Sequence, residues 1–109
     1  MPAAEIIAIG TELLLGESID TNTAHIARTL RDYGVDIFRT MIVGDNANRI
    51  AEAIRESLSR AQIIITTGGL GPTVDDPTRE AVALATQSKL TFRNDLWEQI
   101  QERFKRYGR

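Results

Sequence analysis

Short apolar runs at residues 6–9 and 63–65 and a strand-length segment at residues 35–43 alternate along this chain with longer stretches whose apolar residues recur at helical spacing. Runs of that length suit strands, and their regular exchange with amphipathic segments is the pattern of βαβ units around a parallel sheet. Residues 6–9 predict the first strand and residues 35–43 the second. Ile63-Ile64-Ile65, the most β-branched segment present, predicts the third. Between the first two, Asp20, Thr21, Asn22 and Thr23 are N-cap candidates for a helix that gathers Ile26, Ala27, Leu30 and Tyr33 on one face and that Gly34 terminates. After a turn at Gly44-Asp45-Asn46, Ile50, Ala51, Ile54 and Leu58 mark a second helix. A third is expected from about Pro77 to Ala85, burying Ala81, Val82 and Ala85. Asp95 is expected to cap a last helix carrying Leu96, Ile100 and Phe104, with Glu98, Glu102, Arg103, Lys105 and Arg106 solvated; Leu90-Thr91-Phe92 is too short to assign.

The chain has 109 residues, of which 42% are hydrophobic and 26% charged, enough for one domain with one core and too few for two. A single domain over residues 1–109 is therefore expected. A net charge of −2 gives no sign of a nucleic-acid surface, and the apolar runs fall far short of the roughly 20 residues of a membrane span. The absence of cysteine excludes disulfides, thiolate metal sites and thiol nucleophiles. The N-terminus lacks the basic-then-apolar layout of a secretory signal, so the cytoplasm is the expected location. No internal repeat or linker is present. Three strands are fewer than the roughly four to six usual for a sheet, so the domain is expected to be incomplete at its C-terminus.

Residues 66–81 carry the chemistry. Gly68, Gly69 and Gly71 follow the third apolar run, and Asp75 and Asp76 precede Pro77 and Thr78 at a helix start. Without Cβ atoms, such a loop presents backbone N–H groups to an anion at close range. Two carboxylates beside that anion require a divalent cation between them, so the pattern points to phosphate contact combined with hard oxygen ligands for Mg²⁺ or a similar ion. Asp76 as N-cap and Pro77 as first helical residue also form an ordinary helix start. Capping accounts for one acid and one proline, but not for three glycines and a second carboxylate.

In an open parallel sheet, ligands sit outside the carboxyl ends of the strands. Residues 10–16, Gly44-Asp45-Asn46 and residues 68–76 leave such ends, so all three loops are expected at one rim, with Asp45 joining Asp75 and Asp76. Glu12 is a fourth acid there, with a solvated loop position the equal alternative. His25 lacks a second His or Cys at ligand spacing and is read as a surface or helix residue. Asn22 and Thr23 are read as helix-start residues, with contact to a ribose hydroxyl as the alternative. Trp97 is read as a core or subunit contact. No Gly-Lys-Ser/Thr follows Gly10 or Gly16 and no G-x-G-x-x-G follows the first strand, which argues against the Walker and dinucleotide fingerprints.

Three segments together resemble the N-terminal domain of the competence/damage-inducible protein A (CinA) family. They are residues 7–16, Asp20-Thr21-Asn22, and Gly68-Gly69-Leu70-Gly71-Pro72-Thr73 continuing through Asp75, Asp76, Thr78, Glu80 and Ala81. That domain is related to molybdopterin-binding domains of the MoaB/MogA type. The resemblance implies a three-layer α/β/α sandwich around a mostly parallel sheet, with a strand-end site for a phosphorylated, nucleotide-like or pterin ligand. It matches the functional carboxylates of the molybdopterin relatives to Asp76 and Asp45. Asp75 stands where those relatives often carry a basic residue, and paired acids suit metal-assisted pyrophosphate hydrolysis better than binding of an anionic pterin.

The activity implied for this branch is a metal-dependent nucleotide pyrophosphatase, with ADP-ribose as the substrate to test. In that scheme Asp45 and Asp76 are catalytic, and Asp75 and Asp76 hold a divalent ion, Mg²⁺, Mn²⁺ or Co²⁺. Gly10, Thr11, Glu12, Asn22, Gly68, Gly69, Gly71, Thr73 and Thr78 bind substrate, Thr78 either orienting a carboxylate or stabilising the helix start. A molybdopterin-binding or adenylyl-transferring protein and a non-catalytic nucleotide-binding module are the alternatives. Relatives of this fold commonly form dimers or trimers, so a homo-oligomer is expected, with neither nucleic acid nor membrane as partner. Full-length CinA proteins usually continue into a C-terminal domain with nicotinamide-mononucleotide amidohydrolase activity; none of its sequence is present, so that activity is not carried over.

Overall fold

The structure is a computed structural model that describes residues 2–69 and 77–87, together with residues 95, 98, 99, 101 and 102. The expectations for Leu90-Thr91-Phe92, Leu96, Trp97, Ile100, Arg103, Phe104, Lys105 and Arg106 lie outside the described residues. In chain order the elements are β1 (Ala3–Ile9), α1 (Thr11–Leu14), α2 (Thr21–Asp32), β2 (Asp36–Val43), α3 (Ala47–Leu58), β3 (Ile63–Thr67) and α4 (Thr78–Thr86). Asp95, Glu98, Gln99, Gln101 and Glu102 are also helical. Glu98 and Glu102 are exposed, as expected.

The strands form a parallel sheet in the order β2-β1-β3, giving the α/β fold expected from the alternation of apolar runs and amphipathic segments. β1 is central and all seven of its residues are buried, which is why residues 6–9 read as a continuous apolar run. The chain steps from β1 to one neighbour and then crosses back to the other. With right-handed crossovers this reversal sends α2 and α3 to opposite faces. On one face Ile7 and Ile9 of β1 meet Ile50, Ala51, Ala53 and Ile54 of α3 and Ala81 of α4, with Met41, Val43, Ile64 and Ala85 packed around them. Each fully buried isoleucine in that cluster contributes about 1.5–3 kcal/mol by leaving water. On the other face α2 packs against β2.

Several side chains depart from the periodic expectation, each for a local reason. Tyr33 is 81% exposed because the helix unwinds beneath it: its N–H bonds the Leu30 carbonyl, and Gly34 and Val35 then turn the chain toward β2. Leu58 is half exposed, while Ser57 is fully buried because its hydroxyl is needed by Glu5. In α4, Ala81 and Ala85 face the core four residues apart and Val82 is rotated off that face, 38% exposed. Pro77 is the N-cap of α4, without a side-chain capping bond, and Thr78 opens the helix.

Candidate functional site

Reversal of the strand order at β1 creates a switch point between β1 and β3, where the loops leaving the two carboxyl ends depart toward opposite faces. At the end of β1 the ladder with β2 continues for one residue, the Gly10 N–H donating to the Val43 carbonyl at 2.9 Å. The chain then enters α1, a single helical turn that replaces the plain loop expected over residues 10–16.

Thr11, the first residue of α1, joins two of the three expected loops. Its N–H donates to Asp45 Oδ2 at 3.3 Å, and the Asp45 N–H donates to Thr11 Oγ1 at 3.0 Å. This reciprocal pair follows from register: Ile9 pairs with Val43, and Thr11 and Asp45 each lie two residues beyond. The equal offset is present in the sequence, but it points to a pair only once the register of β1 and β2 is fixed. Asp45 is held in the β2–α3 turn, where the Asn46 N–H bonds the Gly44 carbonyl at 2.8 Å and Asn46 Oδ1 caps α3 by accepting from the Arg49 N–H at 3.0 Å.

The third loop meets the first at the end of β1. Gly68 and Gly69 both have positive φ, +85° and +65°. A Cβ on Gly68 would collide with the Ile9 carbonyl oxygen, and one on Gly69 would collide with Thr78 Oγ1 and stand 3.2 Å from Ile9 Cγ2. Both positions therefore need glycine for conformation and for close approach. Thr78, 2% exposed, holds the turn from the other side: its hydroxyl donates to the Gly68 carbonyl at 2.8 Å and its N–H to the Gly69 carbonyl at 3.2 Å. Among the described residues, neither the Gly68 nor the Gly69 N–H has an acceptor.

The structure thus brings Gly10, Thr11 and Asp45 together, and Gly68, Gly69 and Thr78 together, with Ile9 and Gly10 at the junction. Glu12 is exposed on α1 and folds back over Gly10, its Oε1 lying 2.6 Å from where a Cβ there would stand. Asn22 lies exposed on the first turn of α2, behind the Asp20 cap, whose carboxylate accepts from the Thr23 N–H at 3.1 Å and from the Thr23 hydroxyl. Among the described residues it is hydrogen-bonded to none of the other candidates. His25 is exposed on α2. Gly71, Thr73, Asp75 and Asp76 lie outside the described residues. Among the described residues no three His, Cys, Asp or Glu side chains are grouped to hold a metal ion. A separate open groove of about 330 Å³, lined by Ala27, Arg28, Arg31, Val35, Asp36 and Ile37, lies at the amino end of β2, away from the rim.

Among the described residues no helix is long and apolar enough to cross a membrane. Residues 5–108 match the family described as a probable molybdopterin binding domain. A CinA-like protein of Solibacter usitatus is 48% identical over 101 residues, which are 93% of this chain and 24% of that protein. The chain spans about a quarter of the length of the curated relatives it matches. The crystal structure of CinA from Thermoplasma acidophilum, a protein described as of unknown function, superposes with a TM-score of 0.88 at 33% identity over 99% of this chain and 62% of that one. The molybdopterin biosynthesis enzyme MoaB of Thermus thermophilus gives a TM-score of 0.71 at 26% identity over 75% of this chain and 53% of its own. A sheet ordered β2-β1-β3, a glycine turn at its switch point and a match over nearly the whole length agree: the chain belongs to the family of probable molybdopterin binding domains, in its CinA-like branch.

Proposed function

We propose that this chain is a metal-dependent nucleotide pyrophosphatase that hydrolyses ADP-ribose or a similar nucleoside diphosphate derivative at the β1/β3 rim. The observation that carries the reading is the Gly68-Gly69 turn, clasped by Thr78 against the end of β1, with two N–H groups that no described residue accepts. Preorganised N–H groups at a strand end suit phosphoryl oxygens, and they stabilise charge developing there without reorganising. Asp45, on the loop leaving β2 across β1, has Oδ2 engaged by the Thr11 N–H, which fixes its carboxylate.

The donor chemistry fits a hard cation, since Asp45, Asp75 and Asp76 offer carboxylate oxygens only. Asp75 and Asp76 would hold the ion, and when bound it would neutralise diphosphate charge and lower the pKa of a water. In the reaction water attacks one phosphorus, the bond from that phosphorus to the bridging oxygen breaks, and AMP and ribose 5-phosphate leave. Asp76 or Asp45 accepts the proton lost by the attacking water.

The test is AMP release from ADP-ribose by the purified chain with and without Mg²⁺, Mn²⁺ or Co²⁺. Release is expected to need the metal and to fall at least about a hundredfold in Asp76→Ala and Asp45→Ala, as for loss of a general base. Normal turnover by both variants would remove the site. The family description and the likeness to MoaB are compatible with a second reading, a domain that binds a pterin phosphate or transfers an adenylyl group. That reading predicts pterin phosphate affinity retained in Asp75→Ala. Tight nucleotide binding without product under any divalent ion would instead indicate a non-catalytic module.

A further inference from the structure

We infer that Thr78 is a positioning residue for the candidate site, its buried hydroxyl fixing the left-handed Gly68-Gly69 turn that offers N–H groups to phosphate. The inference rests on the ligand reading above and assigns to Thr78 a role through the turn instead of a contact with the ligand.

Two consecutive glycines at positive φ leave that conformation as easily as they enter it, so a turn made from them needs an external constraint. Thr78 supplies it ten residues further along the chain. Its hydroxyl and its N–H hold the Gly68 and Gly69 carbonyls, so one residue fixes the peptide units on both sides of Gly69. The opposite wall is Ile9, whose carbonyl leaves no room for a Cβ on Gly68 and whose side chain would stand 3.2 Å from one on Gly69. A threonine hydroxyl has one proton, here given to Gly68 at 2.8 Å, and at 2% exposure no water stands ready to replace it. Because Thr78 is also the first residue of α4, the turn and the helix start move as one body.

Thr78→Val keeps the shape and deletes the donor, while Thr78→Ser keeps the donor and deletes a methyl group. The measurements are the Gly68 and Gly69 amide resonances and the Kd for ADP-ribose, taken well below the thermal midpoint of each protein. In Thr78→Ser both resonances are expected to stay in place and the Kd to remain within about twofold. In Thr78→Val both resonances are expected to move and the Kd to rise about tenfold, the scale of one lost hydrogen bond with an orphaned acceptor. Unmoved glycine resonances in Thr78→Val, or a folded Thr78→Ser that binds as weakly as Thr78→Val, would overturn the inference.

If Thr78→Val does not fold, the hydroxyl proton of Thr78 in the unsubstituted chain decides. Slow exchange with water supports the clasp, and exchange at the free rate overturns it. If the unsubstituted chain binds no ADP-ribose, the pyrophosphatase reading falls while the glycine resonances still decide the role of Thr78.

Discussion

Glu5 lies in β1 immediately before the apolar run of residues 6–9, yet it is 1% exposed, at the end of the sheet opposite the rim. Its carboxylate accepts from Arg60 Nε at 2.7 Å, Arg60 Nη2 at 3.0 Å and Ser57 Oγ at 2.8 Å. Burial alone raises the carboxyl pKa. The hydrogen bonds from Arg60 and Ser57, with the charges of Arg60 and Arg39, outweigh it and hold the group below its ordinary value. A carboxyl whose folded pKa is depressed stabilises the fold above its unfolded pKa, about 4.3 for Glu, and that contribution is lost as pH falls through the folded value. Removing Arg60 strands the carboxylate, so Arg60→Ala is expected to cost about 3 kcal/mol at pH 7. Below about pH 4 the penalty should shrink, because Glu5 in the variant takes up a proton and no longer needs the guanidinium. Urea melts of both proteins at pH 7 and pH 3.5 check this; an equal difference at the two pH values would show that the pair does not act through its charge. Nothing in the sequence marks Glu5 as paired, since its partners lie 52 and 55 residues away and only the packing of α3 on β1 brings them together.

At the scale of elements, the strands and the longer helices were legible because each repeats its signal over several residues. The three expected strands fall on β1, β2 and β3, and the periodic apolar positions of α3 include Ile50, Ala51 and Ile54, all buried. α1 was not legible because four residues cannot display a helical period, and flanking glycines at 10 and 16 read as loop. The site was legible to the extent that it depends on position along the chain: three loops leave three strand ends, and Thr11 and Asp45 join two of them. The clasp by Thr78 was not, because a buried hydroxyl opening a helix has the same local sequence as an ordinary helix start. Gly16 and Gly68 test how much of the glycine requirement is conformational. Both have positive φ, but a Cβ on Gly16 meets nothing within 4 Å and one on Gly68 meets the Ile9 carbonyl. Gly16→Ala is expected to cost about 1–2 kcal/mol, the strain of a left-handed non-glycine residue. Gly68→Ala should cost clearly more, because the strand end must move as well. Equal thermal stabilities for the two variants would mean that the contact between the turn and β1 is looser than described.

For the whole molecule the two faces of the sheet are unequal, and the inequality bears on how the rim is supported. α3 places Ile50, Ala51, Ala53, Ile54 and Ser57 in the buried interior, and with α4 it covers Ile7 and Ile9. α2 is as long as α3 and distinctly amphipathic, yet it has no buried residue; Ile26, Ala27 and Leu30 are half-buried against β2. Among the described residues β2 is itself an edge of the three-stranded sheet, with Phe38 70% exposed. The well-packed side is therefore the side from which α4 and Thr78 hold the glycine turn, and Ile9, whose carbonyl abuts Gly68, belongs to its core. A binding turn gains from being anchored on the stiffest part of a fold, since its geometry then survives fluctuations elsewhere. Local opening free energy follows buried apolar contact, so the helix on the sparse side should open without the rest. Native-state hydrogen exchange is expected to show the amides of Ile26, Ala27 and Leu30 exchanging at least about tenfold faster than those of Ile50, Ala51 and Ile54, with the β1 amides slowest. If α2 and α3 exchange together at the rate of global unfolding, the two faces form one cooperative unit. The rigidity of the rim would then be a property of the whole domain and not of the α3/α4 side.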